Sequence, residues 1–243
     1  MSHRKGYRRG YPVAVLVGLE EKQAVLWAVF SNVVKPQKTI NLSGARNDTK
    51  ALYNFHEIVV NAIRPAMNEG VKSIILSSPL KTSYSENFLA HIKNHHTWLI
   101  TGANKAVFSQ IKGPAVDISQ VTVLTRKPEF KKIIEQTTIQ ETENLIDILE
   151  KRLNQSGPEP MVLYSFEAIE DQIISTWKQG KTRPEYLLLT DSYLSTIRQK
   201  VKLQRLMQIA TNRQIKTRIV KSDSPAGKRL TQLGGFVSLQ KIE

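Results

Sequence analysis

The chain contains no cysteine, which removes disulfides, thiolate metal centres and cysteine nucleophiles from consideration. No apolar run approaches the roughly 18 residues that a membrane span needs. The basic N-terminus leads into YPVAVLVGLE, which reads as a buried strand and not as the free apolar region of a signal peptide. The expected setting is therefore the cell interior, away from a membrane. Acids are missing where a two-metal nuclease needs them: the strand-like runs 12–19, 24–31, 33–42 and 72–78 hold no Asp or Glu. No Gly-x-x-x-x-Gly-Lys-Ser/Thr loop is present, so a P-loop triphosphatase is excluded as well.

Positive charge, by contrast, is in excess. Thirty-five Lys/Arg stand against 21 Asp/Glu in 243 residues, a net charge of +14. The excess is uneven. Residues 1–128 hold 17 Lys/Arg against 7 Asp/Glu and residues 129–243 hold 18 against 14, so ten of the fourteen net charges lie in the first half. Arg4, Lys5, Arg8 and Arg9 all precede the first acid, Glu20, and Tyr7 and Tyr11 are interleaved with them. Such a segment suits phosphate contact and base stacking, and a field of this sign attracts polyanions. The competing reading is a solvated tail on a generally basic protein. Hydrophobic content of 40% supports one large or two ordinary cores.

Three runs, YPVAVLVGLE, QAVLWAVFS and VVKPQKTINL, joined by short polar turns, predict a β-meander over 11–42. A helix is expected over 51–69, with Leu52, Phe55, Val59, Ala62, Ile63 and Met67 inward, Asp48 or Thr49 as cap, a kink at Pro65 and an end at Gly70. Strand VKSIILSS, a helix over 83–95, and strands TWLIT and SQVTVLT follow. Lys127–Pro128 breaks the chain. Beyond it lie helical periodicity from Phe130 to Leu153 and the loop QSGPEP. An alternating order follows: MVLY, helix 166–178, EYLLLTD, helix 194–212, IKTRIV, helix 224–233 and GFVSLQK. This alternation predicts a three-layer α/β sandwich. The expected organisation is a basic tail over 1–10, one αβ domain over 11–128 and a second over 129–243.

Several local patterns carry little chemistry. His91, His95 and His96 include an i,i+4 pair, but Ile92 stands where a His-Glu-x-x-His motif has its acid, so no metal is expected and the cluster reads as a solvated polar face. Gly234–Gly235 reads as a helix C-cap, and Thr101-Gly102-Ala103-Asn104-Lys105 as a turn. The helix over 194–212 carries Arg198, Lys200, Lys202 and Arg205, with Arg213 beyond, and Leu194, Ile197, Val201, Leu206 and Ile209 as its buried stripe.

Larger segments resemble the Pelota and class-1 archaeal/eukaryotic release-factor family. Tyr164-Ser165-Phe166-Glu167-Ala168-Ile169 is similar to the family's Tyr-Gly before a helix, with Ser165 in place of the glycine. Glu185-Tyr186-Leu187-Leu188-Leu189-Thr190-Asp191 resembles its apolar strand ending in Ser-Asp. Ile215-Lys216-Thr217-Arg218-Ile219-Val220, Gly227 and Leu233-Gly234-Gly235-Phe236-Val237-Ser238-Leu239 resemble its closing strand, helix, glycine pair and last strand. Lys50-Ala51-Leu52 with Phe55, and Val71-Lys72-Ser73-Ile74-Ile75-Leu76-Ser77-Ser78-Pro79, are similar to the middle domain of Pelota.

The resemblance covers most of the chain from about residue 35. It implies an α/β protein of two αβ domains: a ribonuclease-H-like middle-type domain, then a three-layer α/β/α kink-turn-protein-like C-terminal domain. Full-length family members carry a further N-terminal domain, so this chain looks like a shortened relative from which codon reading is not expected. Release factors present a Gly-Gly-Gln loop from the middle domain. The corresponding segment here, Ser43-Gly44-Ala45-Arg46-Asn47-Asp48-Thr49-Lys50, has one glycine and no glutamine. That argues against positioning a water on an ester and for phosphate contact through Lys35, Lys38, Arg46 and Lys50.

The expected function is a non-catalytic, ribosome-associated factor in rescue, quality control or hibernation, in an archaeal cytoplasm. It would bind ribosomal RNA or tRNA through Arg4, Lys5, Arg8, Arg9, Lys35, Lys38, Arg46 and Lys50, with no cofactor. The resemblance further implies that the C-terminal domain recruits a translational GTPase or a recycling ATPase. Two alternatives stay open: a peptidyl-tRNA hydrolase with a divergent loop, and a stand-alone RNA-binding protein.

Overall fold

The computed structural model describes residues 10–102, 105–155, 160–174 and 183–241. The chain divides into two compact units, one made of the residues up to Met67 together with Val71–Glu141, the other of Asn68–Gly70 and Thr142–Glu243. No helix among the described residues is long and apolar enough to cross a membrane.

Unit 1 opens with the meander. β1 (Pro12–Leu19), β2 (Gln23–Phe30) and β3 (Val34–Asn41) pair antiparallel in sequence. α1 (Thr49–Asn68) then crosses to β4 (Ser73–Ser78), which lies parallel to β1 and is buried along its whole length. α2 (Tyr84–His95) follows, and β5 (Val107–Lys112) closes a five-stranded sheet of order β3-β2-β1-β4-β5. The apolar positions sort by face. Val15, Val17, Leu26, Ile74 and Leu76 pack with Phe55, Val59 and Ile63 of α1 and with Phe88 and Ile92 of α2. Ala14, Leu16, Val25, Trp27 and Ile75 pack on the opposite face with Val121, Leu124 and Phe130.

Two expected strands are not strands. TWLIT forms a short 3-10 turn at Thr97–Leu99, and the edge strand is β5, which lacks a clear alternation and escapes notice in the sequence. SQVTVLT lies in helix α3 (Ile118–Arg126). Its β-branched residues suggest a strand, but Asp117 Oδ1 accepts the Gln120 N–H at 2.8 Å while Gln120 Oε1 accepts the Val116 N–H at 2.9 Å. Local capping of this kind outweighs a modest propensity. Residues 103 and 104 of the expected turn lie outside the described residues.

Gly18 of β1 makes room for a loop on the second face. A Cβ there would stand 2.0 Å from the Ala115 carbonyl oxygen, and that same oxygen accepts the buried Trp27 indole N–H at 2.8 Å. Glu141, 1% exposed, accepts the Lys72 backbone N–H at 3.1 Å and the Ser73 hydroxyl, so a buried acid holds the start of β4. Pro128, where the sequence suggests the first domain ends, is the first residue of one continuous helix, α4 (Pro128–Leu153). Proline fits that position because its missing N–H would have no partner there.

Unit 2 contains β6 (Val162–Leu163), α5 (Phe166–Ile174), β7 (Pro184–Thr190), α6 (Asp191–Thr196), α7 (Lys200–Asn212), β8 (Lys216–Val220), α8 (Pro225–Gln232) and β9 (Phe236–Gln240). The sheet order is β6-β9-β7-β8, with β7 parallel to β8 and β9 antiparallel to both neighbours. Tyr186, Leu188, Val237 and Leu239 pack against Leu145, Ile148 and Leu149 of α4 and Ala226 and Leu230 of α8. The other face carries α5 and α7, with Gln172 of α5 bonded to Gln240. These are the three layers that the alternating pattern predicts.

The helix expected over 194–212 is two helices. Ile197 is extended at φ −56°, ψ 131° and separates α6 from α7. The break rotates the apolar face, so Leu203, Leu206 and Ala210 are buried and Val201 is 80% exposed. Within the helix expected over 166–178, residues 175–178 lie outside the described residues, as does most of the QSGPEP loop.

Candidate nucleic-acid interface

Most of β3 is exposed, and it stands at the edge of its sheet. Lys35 and Lys38 are three residues apart, a spacing that puts side chains on opposite faces of a regular strand. A register shift corrects this. Lys35 pairs with Ala28, Pro36 with Trp27, and Lys38 with Leu26, so Gln37 is the extra residue of a β-bulge. Both lysines thereby share the face of Leu26, which is the α1 side of the sheet.

The segment from Leu42 to Asp48 joins this edge to α1. Asp48 caps the helix, its Oδ1 accepting the N–H groups of Lys50 at 2.9 Å and Ala51 at 3.1 Å. Lys50 is exposed in the first helical turn. Arg46 behaves differently. It is half-buried, its Nε donates to the Glu21 carbonyl at 3.0 Å and its Nη2 to the Glu20 carbonyl at 2.5 Å. Its guanidinium lies 3.9 Å from the Tyr84 ring centroid and 5.7 Å from that of Phe55. Burial lowers the Arg46 pKa, opposed by Tyr84 and the two glutamates. The structure therefore puts Lys35 and Lys38 on one face of the exposed edge and leaves Lys50 exposed at the start of α1, while Arg46 clamps the loop to the β1–β2 turn. Arg4, Lys5, Arg8 and Arg9 lie outside the described residues.

The histidines are not a solvated face. His91 and His96 are each 7% exposed, and their Nε2 atoms stand 2.8 and 2.6 Å from one oxygen, Oε1 of Glu57 in α1. His95 is the exposed member. Burial on its own would raise the Glu57 pKa, but hydrogen bonds and charge from His96 and His91 outweigh it and hold the pKa low. Burial lowers that of His91. It also pushes the neighbouring His56 down to about 4, with the charges of His91 and Arg46 adding to the effect. The sequence reading missed this group because its acid lies 34 residues upstream on another helix.

In unit 2, Asp191 Oδ1 accepts the Ser222 N–H at 2.8 Å and the Ser222 hydroxyl, tying the ends of β7 and β8 together. Gly234 and Gly235, at φ +91° and +79°, form a full C-cap: Gly234 N–H bonds Thr231 at 3.0 Å and Gly235 N–H bonds Leu230 at 2.8 Å. Arg198, Lys200, Lys202 and Arg205 are exposed. Arg213 is turned inward, donating to the carbonyls at the end of α5, Ile173 at 2.6 Å and Ile174 at 3.4 Å.

Comparison with known proteins bears on this arrangement. No family model matches the chain. The pelota homolog of Pyrococcus furiosus is 24% identical over 211 residues, covering 84% of this chain and 54% of that protein. The chain is Pelota-like. It spans about half the length of the curated relative it matches. Two solved Pelota-type structures share the fold. S. cerevisiae Dom34, described as a translation termination-like factor involved in RNA quality control pathways and interacting with Hbs1, aligns with a TM-score of 0.50 and 20% identity over 97% of this chain and 64% of that one. Archaeal Pelota, in a model of its ribosome-bound state with ABCE1, aligns with a TM-score of 0.53 and 17% identity over 95% of this chain and 62% of that one. This likeness agrees with the motifs quoted above.

Proposed function

We propose that this Pelota-like chain is a non-catalytic, ribosome-associated translation factor of the cytoplasm, acting in rescue, quality control or hibernation. Unit 1, as a middle-type domain, contacts ribosomal RNA or tRNA through Lys35, Lys38 and Lys50 together with Arg4, Lys5, Arg8 and Arg9. Unit 2, as a C-terminal-type domain, docks a translational GTPase or a recycling ATPase. What carries the reading is the β3–α1 segment: it has one glycine and no glutamine, it is capped by Asp48, and its arginine is spent on internal contacts. That segment lacks the Gly-Gly-Gln with which release factors place a water on an ester, whereas the exposed lysines beside it suit phosphates.

The test is co-sedimentation of the full chain with purified ribosomes, run beside a peptide-release assay on ribosomes loaded with peptidyl-tRNA. Binding without release supports the proposal. Peptide release that is lost on changing Asn47 sinks it in favour of hydrolysis, and absence from the ribosomal fraction with retained binding to free RNA sinks the ribosomal part.

A further inference from the structure

Three ligand-type atoms converge in unit 1. Nε2 of His91 in α2, Nε2 of His96 just after α2, and a carboxylate oxygen of Glu57 in α1 all lie within 4.8 Å of one another. This is the one such group found among the described residues. Both imidazoles are buried, and both aim at the same Oε1 atom. One oxygen held by two imidazole nitrogens gathers three ligand atoms at a point where a cation can take the place of the shared protons.

We propose that Glu57, His91 and His96 form a binding site for a borderline divalent metal ion, Zn²⁺ foremost. The donor set decides the class: two imidazoles and one carboxylate suit Zn²⁺ and Co²⁺, whereas Mg²⁺ and Ca²⁺ take oxygen ligands. Metal–ligand bonds of about 2.0–2.2 Å put tetrahedral ligands roughly 3.3 Å apart. The contacts of 2.8 and 2.6 Å then open by about 0.5–0.7 Å, within reach of a Glu rotamer adjustment. The Glu57 side chain is 28% exposed, so the ion is reached from solvent on that side and a water completes the shell. His56 packs behind, its ring 5.0 Å from that of His91, and its buried Nε2 has no hydrogen-bond partner among the described residues. The ion would fasten α1 to α2, without needing RNA or a ribosome.

The experiment is calorimetric titration of the untagged, metal-free full chain with Zn²⁺, with the visible spectrum of the Co²⁺ form as a second readout. One ion per chain and a four-coordinate Co²⁺ spectrum are expected. Glu57→Gln keeps the volume and a hydrogen-bonding amide while removing the anionic ligand. It and His96→Gln should weaken binding by about 100-fold or more, the upper end of what loss of even an outer-shell partner produces. His95→Ala should bind as the parent does. Less than one ion per chain, a six-coordinate Co²⁺ spectrum, or equal affinity in Glu57→Gln would overturn the site. The parent protein alone can fail the test, so a variant that does not fold leaves the outcome decided.

Discussion

Arg46 separates two roles that its sequence context does not distinguish. A phosphate-contact arginine projects its charge outward and tolerates lysine. A clamp uses the directions of its N–H groups and tolerates nothing else. Here Nε and Nη2 reach two successive carbonyls, Glu21 and Glu20, with the guanidinium carbon 3.9 Å from the Tyr84 centroid. Two hydrogen bonds from a charged donor contribute about 1.5 kcal/mol each, and the ring contact about 1 kcal/mol. The Nη1 atom is buried without a hydrogen-bond partner, which offsets about 1 kcal/mol of that. Arg46→Ala should therefore destabilise unit 1 by about 3 kcal/mol, and Arg46→Lys by nearly as much, since an ammonium cannot make both bonds. Calorimetric melting reads this as a drop on the order of 10 °C for a unit of this size. RNA affinity at a temperature where both variants are folded should change little. The reasoning is refuted if Arg46→Ala melts like the parent while losing RNA affinity that Arg46→Lys restores.

Further outcomes follow from the same contacts. Gly18→Ala places a methyl against the Ala115 carbonyl and displaces the acceptor of the Trp27 indole; overpacking and a lost buried hydrogen bond together should destabilise by about 2–5 kcal/mol, visible in the melting temperature and in a red-shifted Trp emission. Lys35→Gln, Lys38→Gln and Lys50→Gln combined should reduce the slope of log affinity for RNA against log salt by about 2–3, at roughly 0.7–0.9 per phosphate contact; an unchanged slope would remove these lysines from the interface. Burial on its own would raise the Glu185 pKa, but Lys216 and Arg152 outweigh it and hold it below the ordinary 4.5. A depressed acid contributes stability that is full above about pH 4.5 and lost as pH falls through the lowered value. Urea midpoints of unit 2 should thus decline below that pH, and Glu185→Gln should be less stable at neutral pH with a flatter acid limb.

Elements whose periodicity matches their burial were legible in advance: β1 to β4, α1, α2 and the strands of unit 2 all lie where their apolar residues recur. Errors arose where a local device overrode composition. The Asp117–Gln120 pair turns a β-branched run into α3, and a break at Ile197 rephases a helix whose polar linker residues look helical. β5, with Val107 and Ile111 buried and Gln110 exposed, carries too weak a pattern to be found. On the β3 edge, the lysines were visible as residue types, but the common face of Lys35 and Lys38 depends on the bulge at Gln37, which no spacing rule contains. Glu57 was invisible as a partner of His91 and His96 because helix pairing, not sequence distance, brings it there.

The same bulge has a bearing on solubility. β3 ends its sheet with a row of backbone donors and acceptors that a second copy of the chain could zip onto. Pro36 offers no N–H to such a partner, the extra residue at Gln37 interrupts the regular ladder, and Lys35 and Lys38 would meet like charge on an approaching identical edge. The exposed edge strand that carries these cations is thus protected against self-assembly, and substitutions that make it more regular or less basic would favour edge-to-edge pairing of identical chains.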